Sequence, residues 1–561
     1  MTKKLLIILL LISTLDGFCQ WNNNTAINNV VSNRIGDEDE PVAVSDGANG
    51  SIIFFNDFSN SYDFYAQKIT SAGTVAWGTT ANPVLICQTT ADKFELAAIP
   101  DGNGGAFLVW SDYRHDPKIG EIYAQRINSA GVAQWGANGK RITSSGTQDD
   151  ATPILCTDGA GGVIVSWNWD NGTSDIQSFA QRLNGTGDAQ WPANGRQVCT
   201  APGFRGGNAL VPDGNNGALI FFIDTRNDIN GLDYAFLNNI NLDLTNADIY
   251  GQRLNGNGDR LWTNNGIGII TANGNQFLSN FSNATGGIPD GAGGAIITFG
   301  DERNDDGSGT NLDIFAQRIN ANGASLWASN GVPVSILAGI QYLTDGVSDG
   351  AGGIVLSIAD VSENKLYAQR ITAAGNALWT LNGILLTNAA EDVYDAAMVT
   401  DGSGNTIFTY VSNTNVGDVI KAQKLNAAGN LLWGANGAIV CNATSISLEN
   451  IDIVSSNNGS AIISWTDFRN IPVSGYDIYA SKILANGTLD GSSTSLYVTA
   501  ANGNWNNPAT WTNGQVPLAG AAVIIRHIVS GNITTSCTSL KVEQPTGRLT
   551  VLTGIKITVT N

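Results

Sequence analysis

The chain has 561 residues, 66 of them glycine, with 14% charged and 42% hydrophobic residues. That describes a folded chain punctuated by turns, not a charged disordered one. The net charge of −20 argues against nucleic acid or anionic membrane as partner, since both need Lys/Arg surfaces. Two histidines, His115 and His527, leave little room for His-ligated metal or His-based acid/base chemistry.

In chain order, Lys3 and Lys4 precede an apolar run over 5–12, followed by Gly17-Phe18-Cys19. This is the charged, apolar and small-residue succession of a signal peptide cut after Cys19. The run is too short to span a bilayer. A lipoprotein would use Cys19 as its anchor, but Phe18 fits poorly before it. The expectation is a signal peptide at 1–19 and a secreted or cell-surface protein without a membrane span. Five cysteines remain: Cys87, Cys156, Cys199, Cys441 and Cys537. Their wide spacing suits small buried apolar residues, with one or two bridges and at least one free thiol.

A repeat then runs through the chain. Tyr65-Ala-Gln-Lys and Trp77 recur as Tyr123-Ala-Gln-Arg and Trp135, then Phe179 and Trp191, Tyr250 and Trp262, Phe315 and Trp327, Tyr367 and Trp379, and Lys421 and Trp433. An eighth copy, Tyr479-Ala-Ser-Lys482, has no Trp after it. Upstream of each copy lies a Gly-rich turn starting at Asp46, Asp101, Asp158, Asp213, Asp290, Asp349, Asp401 or Ser456. In the second copy, strands are predicted over 95–100, 106–111 and 121–127, with a fourth starting at 132–135 and continuing toward Ile142. Helical periodicity is absent. Four antiparallel strands per unit make a propeller blade. Trp21-Asn-Asn-Asn-Thr-Ala-Ile27 resembles Trp135-Gly-Ala-Asn-Gly-Lys-Arg-Ile142, so the N-terminus supplies the last blade's fourth strand. The fold expected over 20–490 is therefore all-β, an eight-bladed propeller closed by an N-terminal strand, with Trp21 as the eighth structural tryptophan.

The pattern Tyr-Ala-Gln-Arg-(Ile/Leu)-Asn-x-x-Gly-x-x-x-Trp-x-x-Asn-Gly resembles a repeat family of secreted bacterial β-propellers, and the resemblance implies fold and export but no reaction. It is also loosely similar to the docking motif of eight-bladed quinoprotein dehydrogenases, whose vicinal cysteine pair is missing here. After Leu489 the repeat stops. Trp505 and Trp511 open a segment, 491–561, that resembles the start of a secreted parallel β-helix module; a small β-module or a truncated β-helix is expected there.

Residues repeated in every blade read as structural, because one active site does not need eight copies. Function is expected on the long variable loops between the second and third strands and between blades. That face is acidic. Asp57, Asp112, Asp224, Asp301, Asp360 and Asp467 end second strands, and Asp63, Glu121, Asp248, Asp313 and Asp477 begin third strands, so that five blades carry both. Arg114, Arg226, Arg303 and Arg469 follow two residues after four of the first set, which reads as a charge-assisted Asp–Arg lock. The sharper reading is calcium, a hard cation suited to extracellular oxygen clusters. Asp57 and Asp63, without an Arg at the following position, are its best candidates, with the Asp- and Asn-rich insertions at 227–247 and 304–312 next. His115, Trp167 and Trp169 are the candidate ligand-binding residues. The function expected is a non-catalytic binding or adhesion scaffold for a polysaccharide or surface protein. The alternative is a carbohydrate-active hydrolase or lyase, with the propeller or a missing β-helix as catalytic part; in the propeller it would need a non-repeated acid/base cluster near the central channel.

Overall fold

The computed structural model describes residues 21–144, 146, 148–170, 176–227, 246–278, 286–388, 391–414, 417–443, 447–491, 497–511, 516–517, 521–542, 548–552 and 556–559. The leader read at 1–19 and most of the insertion at 227–247 lie outside these. The chain divides into two compact units. One contains Thr25–Leu489, and the other Asp490–Asn561 together with Gln20–Asn24. No helix among the described residues is long and apolar enough to cross a membrane.

The first unit is an eight-bladed β-propeller. Blade 1 pairs Glu38–Ser45, Ser51–Asp57, Asp63–Ile69 and Val84–Cys87 in antiparallel order, and the other blades repeat this. The first strands of neighbouring blades lie against one another. They are Glu38–Ser45, Lys93–Pro100, Asp149–Thr157, Arg205–Pro212, the pair Gln276–Leu278 and Gly287–Pro289, Gln341–Ser348, Asp392–Thr400 and Leu448–Ser455, and the series returns to blade 1. These strands are the inner ring and form the channel wall. Closure is made by Asn29–Ser32, which pairs antiparallel with Asp477–Ile483 and completes blade 8. Asn28 Nδ2 donates to Ser481 Oγ at 2.9 Å across the same joint. Glu38, fully buried, accepts from Ser32 Oγ at 2.7 Å. Burial and the nearby Asp477 carboxylate push its pKa up to about 9.

The repeated residues hold each blade to the next. The Gln125 Oε1 atom accepts the amides of Arg126 and Trp135, and its Nε2 donates to Gly136 O, so the chain folds back after the third strand. Trp135 then docks on Gly187 of blade 3. Gly187 has φ +79, and a Cβ there would lie 2.8 Å from the indole. The indole N–H donates to Gly185 O at 3.3 Å. Arg126 pairs with Asp101 of its own turn and donates to the same Gly185 carbonyl. The same indole-to-carbonyl bond recurs from Trp77, Trp191, Trp262, Trp327, Trp379 and Trp433. This docking moves the fourth strand. It is the short Lys140–Arg141 instead of beginning at 132–135, because the Trp segment leaves the sheet to reach the next blade. Trp21 is buried and belongs to the second unit.

Apolar cores lie between neighbouring sheets, such as Ile52, Phe54, Phe64, Leu108 and Trp110 between blades 1 and 2. Cys87, Cys156, Cys199 and Cys441 are buried and free, with no disulfide among the described residues. The second unit pairs its strands in parallel. Tyr497–Val498, Ala521–Ile525, Thr535–Val542 and Ile557–Val559 form one sheet, and Gly503–Asn504, Ile528–Gly531 and Arg548–Val551 the other. Trp505 and Trp511 pack edge-to-face in its core at 5.3 Å.

Candidate active site

The acidic ends of the second strands are occupied by arginine. Arg114, Arg226, Arg303 and Arg469 each place Nε 2.8–2.9 Å from the Oδ1 of the aspartate two residues before. Each guanidinium also lies over an aromatic ring, at 3.9–4.1 Å. In three of these locks the second nitrogen donates to a cysteine sulfur, of Cys87, Cys199 or Cys441. Such bidentate, ring-stacked arginines are strong and directional.

Blade 1 obtains the same lock from elsewhere in the chain. Arg34 pairs with Asp57 and lies 4.3 Å over Tyr65. Asp63 stands directly across the strand pair from Asp57 and receives the fully buried Lys93 at 3.2 Å. Both carboxylates of the calcium candidate thus already face a protein cation. In the blade 5 insertion, Asp305 accepts four backbone amides, from Gly307, Gly309, Thr310 and Asn311. Among the described residues, no group of three or more His, Cys, Asp or Glu is placed to hold a metal.

The three candidate binding residues are not brought together in one role. Trp167 is fully buried, stacks on Phe179 and donates from its indole to Asp150 at 2.9 Å. Trp169 is partly buried and tilted against the same Phe179 ring, at 5.8 Å. His115 is half-exposed, 2.7 Å from Glu121 and stacked over Tyr123.

The inner ring carries a different set. Asp345 of blade 6 accepts the amides of its own neighbour Gly346 at 2.6 Å and of Met398 in blade 7 at 3.0 Å. Asp395 of blade 7 accepts Ile451 N–H of blade 8 at 2.8 Å. Asp452, the next residue after Ile451, accepts Ile453 N–H and, from blade 1, Ala43 N–H, both at 2.7 Å. Three carboxylates on three successive inner strands are therefore placed at neighbouring points of the channel wall. Asp452 lies directly across the strand pair from Ser464, whose buried hydroxyl has no hydrogen-bond partner. Amide hydrogen bonds favour the ionised carboxylates, and burial in protein opposes them. Burial wins: it pushes Asp345 and Asp452 up to about 7 and Asp395 up to about 6. The Asp452 charge adds to the rise at Asp345, and that of Asp395 to the rise at Asp452. Between those values the set holds protons and negative charge at once, which is the state general acid/base catalysis uses.

Aromatic rings occupy the upper face of blades 1 and 2. Phe58 touches Tyr62 at 4.8 Å, Tyr62 touches Phe94 at 4.7 Å, and Phe94 touches Tyr113 at 5.8 Å, each edge-to-face. All four are partly exposed. Phe94 is on an inner strand, beside Glu95, whose carboxylate accepts Thr152 N–H of blade 3 at 2.6 Å.

Neither set was singled out from the sequence, although Asp345 and Asp452 carry a signal. Both stand four residues before the turn that opens the hairpin. At that position the other blades have Val42, Ala97, Ile154, Ala209, Gly286 and Ala397. A carboxylate replacing a small or apolar residue in two of eight copies is a departure from the repeat, and departures mark sites. The aromatic row had no comparable signal, because its members come from a loop, two strands and two blades.

No family model matches the chain, and no curated protein does. Solved structures do. The chain is similar to an ulvan lyase of a polysaccharide lyase family, solved bound to -[GlcA(1-4)Rha3S]-, with a TM-score of 0.43 and 10% identity, covering 84% of this chain and 98% of that one. It is similar to an α-L-arabinanase of Penicillium chrysogenum complexed with arabinobiose, with a TM-score of 0.32 and 9% identity, covering 82% and 99%. A third is an α-L-arabinofuranosidase of Fusarium graminearum in complex with an iminosugar inhibitor, with a TM-score of 0.33 and 10% identity, covering 71% and 97%. At these identities the likeness concerns the fold. The expectation of a non-catalytic binding or adhesion scaffold is corrected on this finding: the three solved structures named above are carbohydrate-active enzymes.

Proposed function

We propose that this protein is a carbohydrate-active enzyme that cleaves a polysaccharide in the propeller channel by general acid/base catalysis, acting outside the cytoplasm as the leader at 1–19 suggests. The observation that carries this reading is the trio Asp345, Asp395 and Asp452 on three successive inner strands, each fixed by a backbone amide of the next blade. Fixed carboxylates of unequal proton affinity can donate to a leaving oxygen and accept from water or a ring proton. The amide bonds hold their side chains without spending a proton. The aromatic row supplies flat apolar surface against which sugar rings pack.

The test is release of reducing ends by the full chain from a panel of polysaccharides, with Asp345→Asn, Asp395→Asn and Asp452→Asn beside it. Acid/base groups contribute about 10²–10⁴-fold to rate, so at least one variant should lose about 100-fold in kcat while its melting temperature stays close to the parent's. Full activity in all three, or no cleavage by the parent, would overturn the reading.

A further inference from the structure

The inner ring has a strongly one-sided charge. Its strands carry eleven acidic residues, Glu38, Asp39, Glu40, Glu95, Asp149, Asp150, Asp345, Asp392, Asp395, Glu449 and Asp452, of which Glu38 and Asp150 are fully buried and Glu38 keeps its proton to about pH 9. Against these stand two cations, Lys93 and Arg205. Both are fully buried and committed, Lys93 to Asp63 at 3.2 Å and Arg205 to Asp224 at 3.1 Å. The arginines of the upper face, Arg34, Arg114, Arg226, Arg303 and Arg469, are locked on buried aspartates under or over aromatic rings. A sugar chain entering the channel thus meets carboxylates, hydroxyls and rings, while the cations described here are engaged elsewhere.

Two ways of cutting a glycan place opposite demands on such a wall. Elimination from a uronate removes the proton next to the sugar carboxylate, so negative charge builds on a group that is already anionic. It needs a cation or a proton donor beside that carboxylate, and a wall rich in carboxylates disfavours an anionic chain before the reaction begins. Hydrolysis goes through an oxocarbenium-like state in which positive charge builds on the sugar ring. Surrounding carboxylates stabilise that state. In the balanced step, the glycosidic C–O bond breaks as a carboxyl gives its proton to the leaving oxygen. Water bonds to the anomeric carbon and passes its proton to the ionised carboxylate.

We infer that the substrate is a neutral polysaccharide and the reaction is hydrolysis, not elimination from a uronate- or sulfate-bearing chain. This rests on the enzymatic reading above and narrows it. The ring row Phe58–Tyr62–Phe94–Tyr113 supports it independently of charge. Edge-to-face rings present apolar, partly exposed surface to the C–H faces of uncharged sugars.

The experiment pairs neutral glycans (arabinan, galactan, xylan, β-glucan) with anionic ones (ulvan, polygalacturonate, alginate), with and without added calcium. Reducing ends and the ultraviolet absorbance of unsaturated uronate are read together, and the retention of each glycan by the full chain is measured in affinity gels. The expected result is reducing ends from a neutral glycan, no absorbance rise on any substrate, and retention by neutral gels at least tenfold above anionic ones. An absorbance rise, or cleavage of an anionic glycan as fast as any neutral one, with or without calcium, would overturn the inference and leave the enzymatic reading standing. Silence on every substrate would overturn the enzymatic reading, and stronger retention by the anionic gels would then overturn the charge argument separately.

Discussion

The propeller has two layers that obey different rules. In the outer layer, Gln, Arg or Lys, Trp and Gly recur blade after blade and make the same bonds each time, such as Trp135 to Gly185 and Trp191 to Gly256. In the inner ring, the position four residues before the turn is Val42, Ala97, Ile154 or Ala209 in the first four blades and aspartate in blades 6 and 8. The difference teaches a division of labour. Repetition supplies the blade-to-blade docking, while inner strands such as those of blades 6 and 8 can exchange an apolar side chain for a carboxylate that bonds the next blade.

The first prediction presses on that division from the inside. Asp345→Asn or Asp452→Asn should lower kcat by about 10²–10⁴-fold, read by initial rates of reducing-end release, with little change in unfolding. An equal loss of stability would merge the two layers. Pressed from the outside, Trp135→Ala should cost about 3–5 kcal/mol, measured by urea unfolding. It should leave kcat per folded molecule within about twofold, since Trp135 packs on Phe107 of its own blade and on the next blade's turn, and the three aspartates lie in blades 6 to 8.

Proton occupancy separates the layers next. Asp345, Asp395, Asp452 and Glu38 all have pKa values raised in the folded state. Between about pH 4 and 7 the folded chain holds more protons than the unfolded one, so stability falls as pH rises through that window. For Glu38 the fall continues to about 9. Melting temperatures across pH 4–9 test this. In the Asp345→Asn/Asp452→Asn double variant the slope up to pH 7 should be smaller. The rate should also fall about tenfold per unit above pH 7, where the acid has lost its proton. The smallest effect concerns the outer layer. Burial pushes the Cys87 and Cys441 thiols up to about 11. Both should react with a disulfide reagent only after denaturation, and Cys87→Ser should leave activity unchanged.

The eight blades, their turns and the closing strand were legible because a residue pattern repeated eight times signals itself above chance. The Asp–Arg locks were legible for the same reason: a spacing of two residues recurred in four blades. What escaped were partners distant in sequence. Arg34 completes the blade 1 lock from the chain's first strands, and Lys93 reaches Asp63 from the next blade. Neither shares a local spacing with its partner. The functional expectation failed on the same ground. Asp345, Asp395 and Asp452 come together because the ring sets blades 6, 7 and 8 side by side; the sequence marks Asp345 and Asp452 as departures from the repeat but not their meeting with Asp395.

The closing strand also has a consequence in time. Asn28 and Ser481 are bonded but 453 residues apart. At about 5–20 residues per second of synthesis, the first strand waits roughly 20 to 90 seconds for its partner to exist. Blades 1 to 7 can pair internally as they emerge, but the ring cannot shut until the end. During that wait the unpaired first strand is open to other chains, and once blade 8 is made its third strand's edge is open as well until the two meet, so closure is the stage at which this protein is most exposed to wrong pairing.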